Sequence, residues 1–156
     1  MSRSRGRSRS RSRGSSRGIA LAAATVLAFA LSGAVATART LNGTDTAHLH
    51  LVHQQETTVF EEGAASGALP GHMRARLDVG SVFTGTCTIY TSGGTIVGHG
   101  LATPHGTGRY QSFHGTLEIT GGSGRYAHAH GRTGLYGTFD RRTFSLVIQT
   151  TGSISY

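Results

Sequence analysis

Apolar and polar residues alternate with a period of two through most of this chain, and that rhythm leaves few folds open to it. Met73, Ala75, Leu77 and Val79 alternate with Arg74, Arg76 and Asp78. The same pattern runs through Phe83–Ile89, Phe113–Ile119, Leu135–Phe139 and Phe144–Ile148. Period two puts successive side chains on opposite faces of a strand, so each run predicts a strand with one oily and one wet face. Less regular runs at Leu49–Phe60 and Thr95–Thr103, with a last one at Gly152–Tyr156, bring the expected number to about eight. Past residue 40 no stretch carries a helical stripe.

Turn residues punctuate the runs at Leu69-Pro70-Gly71, Ser92-Gly93-Gly94, Pro104-His105-Gly106, Gly121-Gly122-Ser123-Gly124 and Asp140-Arg141. Short links between consecutive strands favour antiparallel pairing. A long sheet with one apolar face and no helix to cover it must fold into a sandwich or close on itself. Glycines inside the strands, at 85, 98, 100, 115 and 137, allow the sharp coiling that a narrow barrel needs. The expected fold is therefore all-β, a small closed antiparallel eight-stranded barrel behind an N-terminal signal segment.

That segment is legible on its own. Seven arginines interspersed with serine and glycine lie before residue 19, and residues 19–38 carry no charge. A cationic stretch, an apolar stretch and the small-residue ending Ala36-Thr37-Ala38 form the pattern of a secretory signal. The expected organisation is a leader over 1–38, a polar lead over 39–48 and a barrel domain over 49–156. The expected location is outside the cell, with surface anchoring if the leader stays uncleaved; the membrane is met only through the leader. An arginine-serine tract of the RNA-processing type is the competing reading, but such tracts are not followed at once by twenty uncharged residues.

Charge narrows the partners. From Arg39 onward there are eight arginines, no lysines and seven acids, a formal charge of +1. That is no footprint for phosphates, and no nucleic-acid partner is expected. All nine histidines fall in this part, so it becomes strongly cationic below about pH 6. The single cysteine, Cys87, excludes a disulfide within the chain.

The segment LEITGGSGRYAHAHG at 117–131 resembles the most recognisable stretch of the allene oxide cyclase and dirigent-like barrel superfamily. The following TGLYGTFD, and LDVGSVFTGTCTIYTSGGTIVGHG upstream, are similar to neighbouring strands of that family. The resemblance covers roughly residues 75–150. It implies an eight-stranded antiparallel barrel with an apolar lumen, in a secreted bacterial member. It also implies a lumen glutamate on an early strand, a nearby asparagine and a lumen cysteine, as the cyclases have. Cys87 stands at the matching cysteine, Glu56 is the early glutamate in register, and no asparagine follows Asn42. Members often associate, which leaves a homo-oligomer open.

Alternation puts Phe83, Cys87, Ile89, Phe113, Leu117, Ile119, Phe139, Leu146 and Ile148 inside. That lumen is either a filled core or an apolar pocket. His53 and Gln55 share a face with Leu49 and Leu51, and a bulge would bring Gln54 and Glu56 inward instead. The candidate catalytic residues are thus Glu56, Cys87 and His53. The candidate ligand-binding residues are Gln55, Phe83, Ile89, Phe113, Leu117 and Phe139. A glutamate or histidine in an apolar lumen has the chemistry of a general base or electrostatic guide.

The pairs His48/His50 and His128/His130 have the i, i+2 spacing of a strand chelate, but no carboxylate or thiol completes a site, and neither metal nor cofactor is expected. The glycine clusters open no helix and hold no phosphate. The functions left open are a lumen binder of a small apolar or aromatic molecule, an isomerase or cyclase acting on an apolar substrate, and a non-catalytic extracellular structural protein.

Overall fold

In a computed structural model, residues 38–156 are described; the expected leader lies outside them. Eight antiparallel strands run in chain order around a closed barrel: β1 (Thr40–Gln55), β2 (Thr58–Gly67), β3 (Gly71–Asp78), β4 (Phe83–Thr91), β5 (Gly94–His105), β6 (Tyr110–Gly122), β7 (His130–Asp140) and β8 (Leu146–Ser155). The expected strand number holds, but two boundaries move. Leu49–Phe60 spans the end of β1, a turn at 56–57 and the start of β2. The runs at Phe144–Ile148 and Gly152–Tyr156 belong largely to the single strand β8. The polar lead expected over 39–48 is the first half of β1, which pairs with β8 from Thr40 opposite Ser155 onward. Its Thr40, Asn42, Thr44 and His48 are exposed while Leu41, Asp45 and Ala47 face inward, so this stretch is barrel wall and not a loop.

The inner face is built as alternation predicts. Phe83, Cys87, Ile89, Phe113, Leu117, Ile119, Phe139, Leu146 and Ile148 are all buried in one cluster. Hydrogen-bonded partners trace a path from Leu51 through Glu61, Ala75, Cys87, Gly98, Ile119, Gly131 and Ile154. It returns to β1 at Leu41, ten residues before its start. Such a stagger tilts the strands and leaves a tube that side chains can fill.

The top of the barrel carries the β1–β2, β3–β4, β5–β6 and β7–β8 connections. Phe83 meets Phe113 and Phe139 edge-on there, with ring centroids 5.8 and 5.6 Å apart, and Phe144 packs on Phe139 at 5.8 Å. The backbone of Gly137 leaves room for this plug, since a Cβ at that position would lie 2.3 Å from the Phe113 ring and 2.1 Å from the Val147 carbonyl oxygen. The base is closed by Leu69, whose N–H donates to Asp45 Oδ1 at 2.6 Å, and by Tyr126 against Tyr156, 4.9 Å between centroids. Tyr126 ends a short 3₁₀ turn, Gly124–Tyr126, that links β6 to β7.

Ion pairs sit at the rim and on the wall. Arg109 clasps Asp140 with two nitrogens, at 2.7 and 3.0 Å, and the Asp140 carboxyl is held well below the usual range by that hydrogen bond. A Gly-x-Gly-Arg-Tyr unit occurs twice, at 106–110 and 122–126, and the guanidiniums of its Arg109 and Arg125 lie 4.8 Å from the rings of Tyr110 and Tyr126, turn-flanking arginines laid over aromatics.

Candidate functional site

β2 brings one charged residue into the oily interior. Val59, Glu61, Gly63 and Ala65 face inward, alternating with Phe60, Glu62, Ala64 and Ser66. Glu61 is 2% exposed, and among the described residues neither of its carboxylate oxygens has a hydrogen-bond partner. Leaving a buried polar group unpaired costs about 1–3 kcal/mol, and more if it is charged. Desolvation therefore favours the neutral form and pushes the Glu61 carboxyl up to about 8. At neutral pH it is an acid with one O–H to donate.

Register places Glu61 opposite Ala75 on β3, and Ala75 opposite Cys87 on β4. All three point inward, so the carboxyl and the thiol share one level of the lumen with a single small side chain between them. Burial pushes the Cys87 thiol up to about 11. It is a neutral, apolar-behaving wall residue and no nucleophile at neutral pH.

A cavity of about 50 Å³ adjoins this level. Met73, Ala75, Leu77, Phe83, Cys87 and Phe113 line it, with Leu117 also on β6 and Leu146 on β8. One water needs about 10–15 Å³ of such space, so the cavity takes a few atoms, and a ring-sized guest requires the side chains to give. Glu61 does not itself line the cavity; it stands beside the Ala75 part of the wall. A second space, of about 30 Å³, lies toward the base between Asp45, Leu69, Ile89 and Thr133.

The other expected site residues are placed elsewhere. Glu56 sits exposed in the β1–β2 turn at φ 54°, because the chain reverses where a continued strand was expected. His53 and Gln55 are exposed at the end of β1. A bulge lies between Leu51 and His53, and past it neither Gln54 nor Glu56 enters the lumen. Gln55 therefore does not line the cavity, whereas Phe83, Phe113 and Leu117 do; Ile89 borders the second space and Phe139 packs in the aromatic plug. Asn42 is exposed near the base.

His48 and His50 face solvent on β1, while His128 lies outside any strand, so the two pairs do not meet. Among the described residues no group of three or more His, Cys, Asp or Glu gathers as a metal site.

An antiparallel eight-stranded barrel with an apolar lumen and one unpaired inward carboxyl is the class that fold and site define. Comparison of the chain with protein-family models, curated proteins and solved structures finds no match.

Proposed function

We propose that this barrel is a secreted protein of the allene oxide cyclase and dirigent-like type, and that it binds a small apolar or aromatic molecule carrying one hydrogen-bonding oxygen in its lumen. The observation that carries the reading is Glu61, a buried carboxyl with both oxygens unpaired, one strand from an apolar cavity. A core that served packing alone would gain stability by replacing it, since an apolar side chain avoids the desolvation cost. Retaining it makes sense if a guest supplies the missing partner. The neutral acid donates to a carbonyl, ether or epoxide oxygen of that guest, and the phenylalanines and leucines hold the rest.

A second reading is favoured by the same residue. A neutral acid in a dry pocket is suited to protonating an oxygen during an isomerisation or ring closure. In this reading Glu61 takes the role that the family resemblance assigns to an early-strand glutamate, with Cys87 lining the wall. No asparagine stands beside it, so any charge developing on the substrate has the Glu61 proton as its main support.

Native mass spectrometry of the protein recovered from a producing culture tests the proposal. The wild type is expected to carry a small-molecule adduct that Glu61→Leu loses and Glu61→Gln keeps at reduced occupancy. Turnover of the recovered molecule by wild type and not by Glu61→Gln selects the enzyme reading. A wild type without adduct, together with a Glu61→Leu variant changed only in stability, would show the lumen to be core.

A further inference from the structure

On the outer wall near the top, two imidazoles meet that sequence spacing does not connect. His105 ends β5 and His114 lies on β6, with Thr103 opposite His114 and His105 opposite Ser112, so the two histidines are diagonal neighbours on one face. Both are exposed. Their ring planes are parallel within 1°, with centroids 4.6 Å apart, and His105 Nε2 and His114 Nδ1 share a 2.7 Å hydrogen bond in which one of the two nitrogens carries the proton. Among the described residues no carboxylate pairs with either ring. The surrounding face carries Thr103, Ser112, Thr138 and, opposite His114, Tyr136.

We propose that His105 and His114 form a surface chelate for a divalent transition metal of tetragonal preference, Cu²⁺ or Ni²⁺, with water completing the coordination. Neutral imidazole nitrogen is a ligand for these ions, and two on adjacent strands are preorganised by the ladder. With metal–nitrogen bonds of about 2.0–2.1 Å, a 2.7 Å nitrogen separation subtends roughly 80° at the metal. That lies near the 90° between neighbouring square-planar ligands and far from the tetrahedral angle that Zn²⁺ adopts in structural sites. Metal binding would replace the hydrogen bond: the donor ring moves its proton to its other nitrogen, and, because the outer torsion of a histidine is broad, both rings turn until their lone pairs converge on the ion. The site lies on the opposite side of the wall from the lumen and is independent of the proposed ligand there.

Titration of the metal-free full chain with Cu²⁺ at pH 7.5, followed by electron paramagnetic resonance and calorimetry, tests this site. One ion is expected, with hyperfine structure from two nitrogens. His105→Ala and His114→Ala should each weaken binding by about tenfold or more, while a His48→Ala/His50→Ala control leaves it unchanged. Both histidines are exposed, so circular dichroism of the variants should match the wild type. Equal affinity in wild type, His105→Ala and His114→Ala, loss only in the His48→Ala/His50→Ala control, or Zn²⁺ bound as tightly as Cu²⁺ would overturn the assignment.

Discussion

At the scale of single residues, Glu61 sets the pH response of the fold. Its carboxyl binds a proton more tightly folded, at about 8, than unfolded, near 4.5. The folded state holds the extra proton between those values, so stability is greatest below about pH 4.5 with respect to this group and falls as pH rises toward 8. Three and a half units correspond to roughly 5 kcal/mol across that window. Urea denaturation of the wild type from pH 5 to 8.5 is expected to show that decline, and Glu61→Gln should flatten it. An unchanged slope in Glu61→Gln would mean that the carboxyl is not the group responsible. Sequence made this residue hard to find. Its inner-face neighbours are Gly63 and Ala65, which carry little hydrophobic signal, and Glu62 beside it blurs the alternation. Val59-x-Glu61-x-Gly63-x-Ala65 with a turn at 56–57 was the available clue; reading one strand through to Phe60 put Glu56 in its place.

At the scale of elements, the strands were legible wherever large apolar residues repeated. β4, β6 and β7 contain the runs expected for them, β3 ends at Asp78 one residue short of its expected run, and each expected phenylalanine from Phe83 to Phe139 is buried. Misplaced boundaries occur where the code is weak. The β1–β2 turn contains neither glycine nor proline, and Glu56 supplies its positive φ. Phe144, expected to begin a strand, instead turns at φ 57° and packs on Phe139 from the loop. Interior glycines report close packing more than flexibility, as Gly137 beneath the Phe113 ring shows. Gly137→Ala must displace that ring or part β7 from β8, and overpacking of this kind costs about 1–3 kcal/mol. A thermal melt should register it as a drop of several degrees, whereas a neutral result would mean that the plug tolerates repacking.

At the scale of the whole molecule, the expected barrel closes with all eight strands in chain order, and every pairing but one joins consecutive strands. Stopped-flow refolding of the barrel is expected to take milliseconds to seconds, because closure must bring β1 to β8 across the length of the barrel sequence. Equilibrium unfolding should be a single transition, since the core cluster draws on all eight strands. Two separated transitions would mean that part of the wall holds together alone. Alternation and turn residues specify this architecture almost completely; the identity of a guest depends on three-dimensional neighbours such as Glu61, Ala75 and Cys87, which no local spacing reveals.

The one exceptional pairing, β1 with β8, joins Thr40 to Ser155, and the backbones of Arg39 and Tyr156 exchange hydrogen bonds beside it. This seam has the longest reach in the sheet, because it joins the first strand of the barrel to the last. Wherever it opens, both edges lie bare and open to annealing with another copy, so its hydrogen bonds are what keep the wall from pairing between molecules.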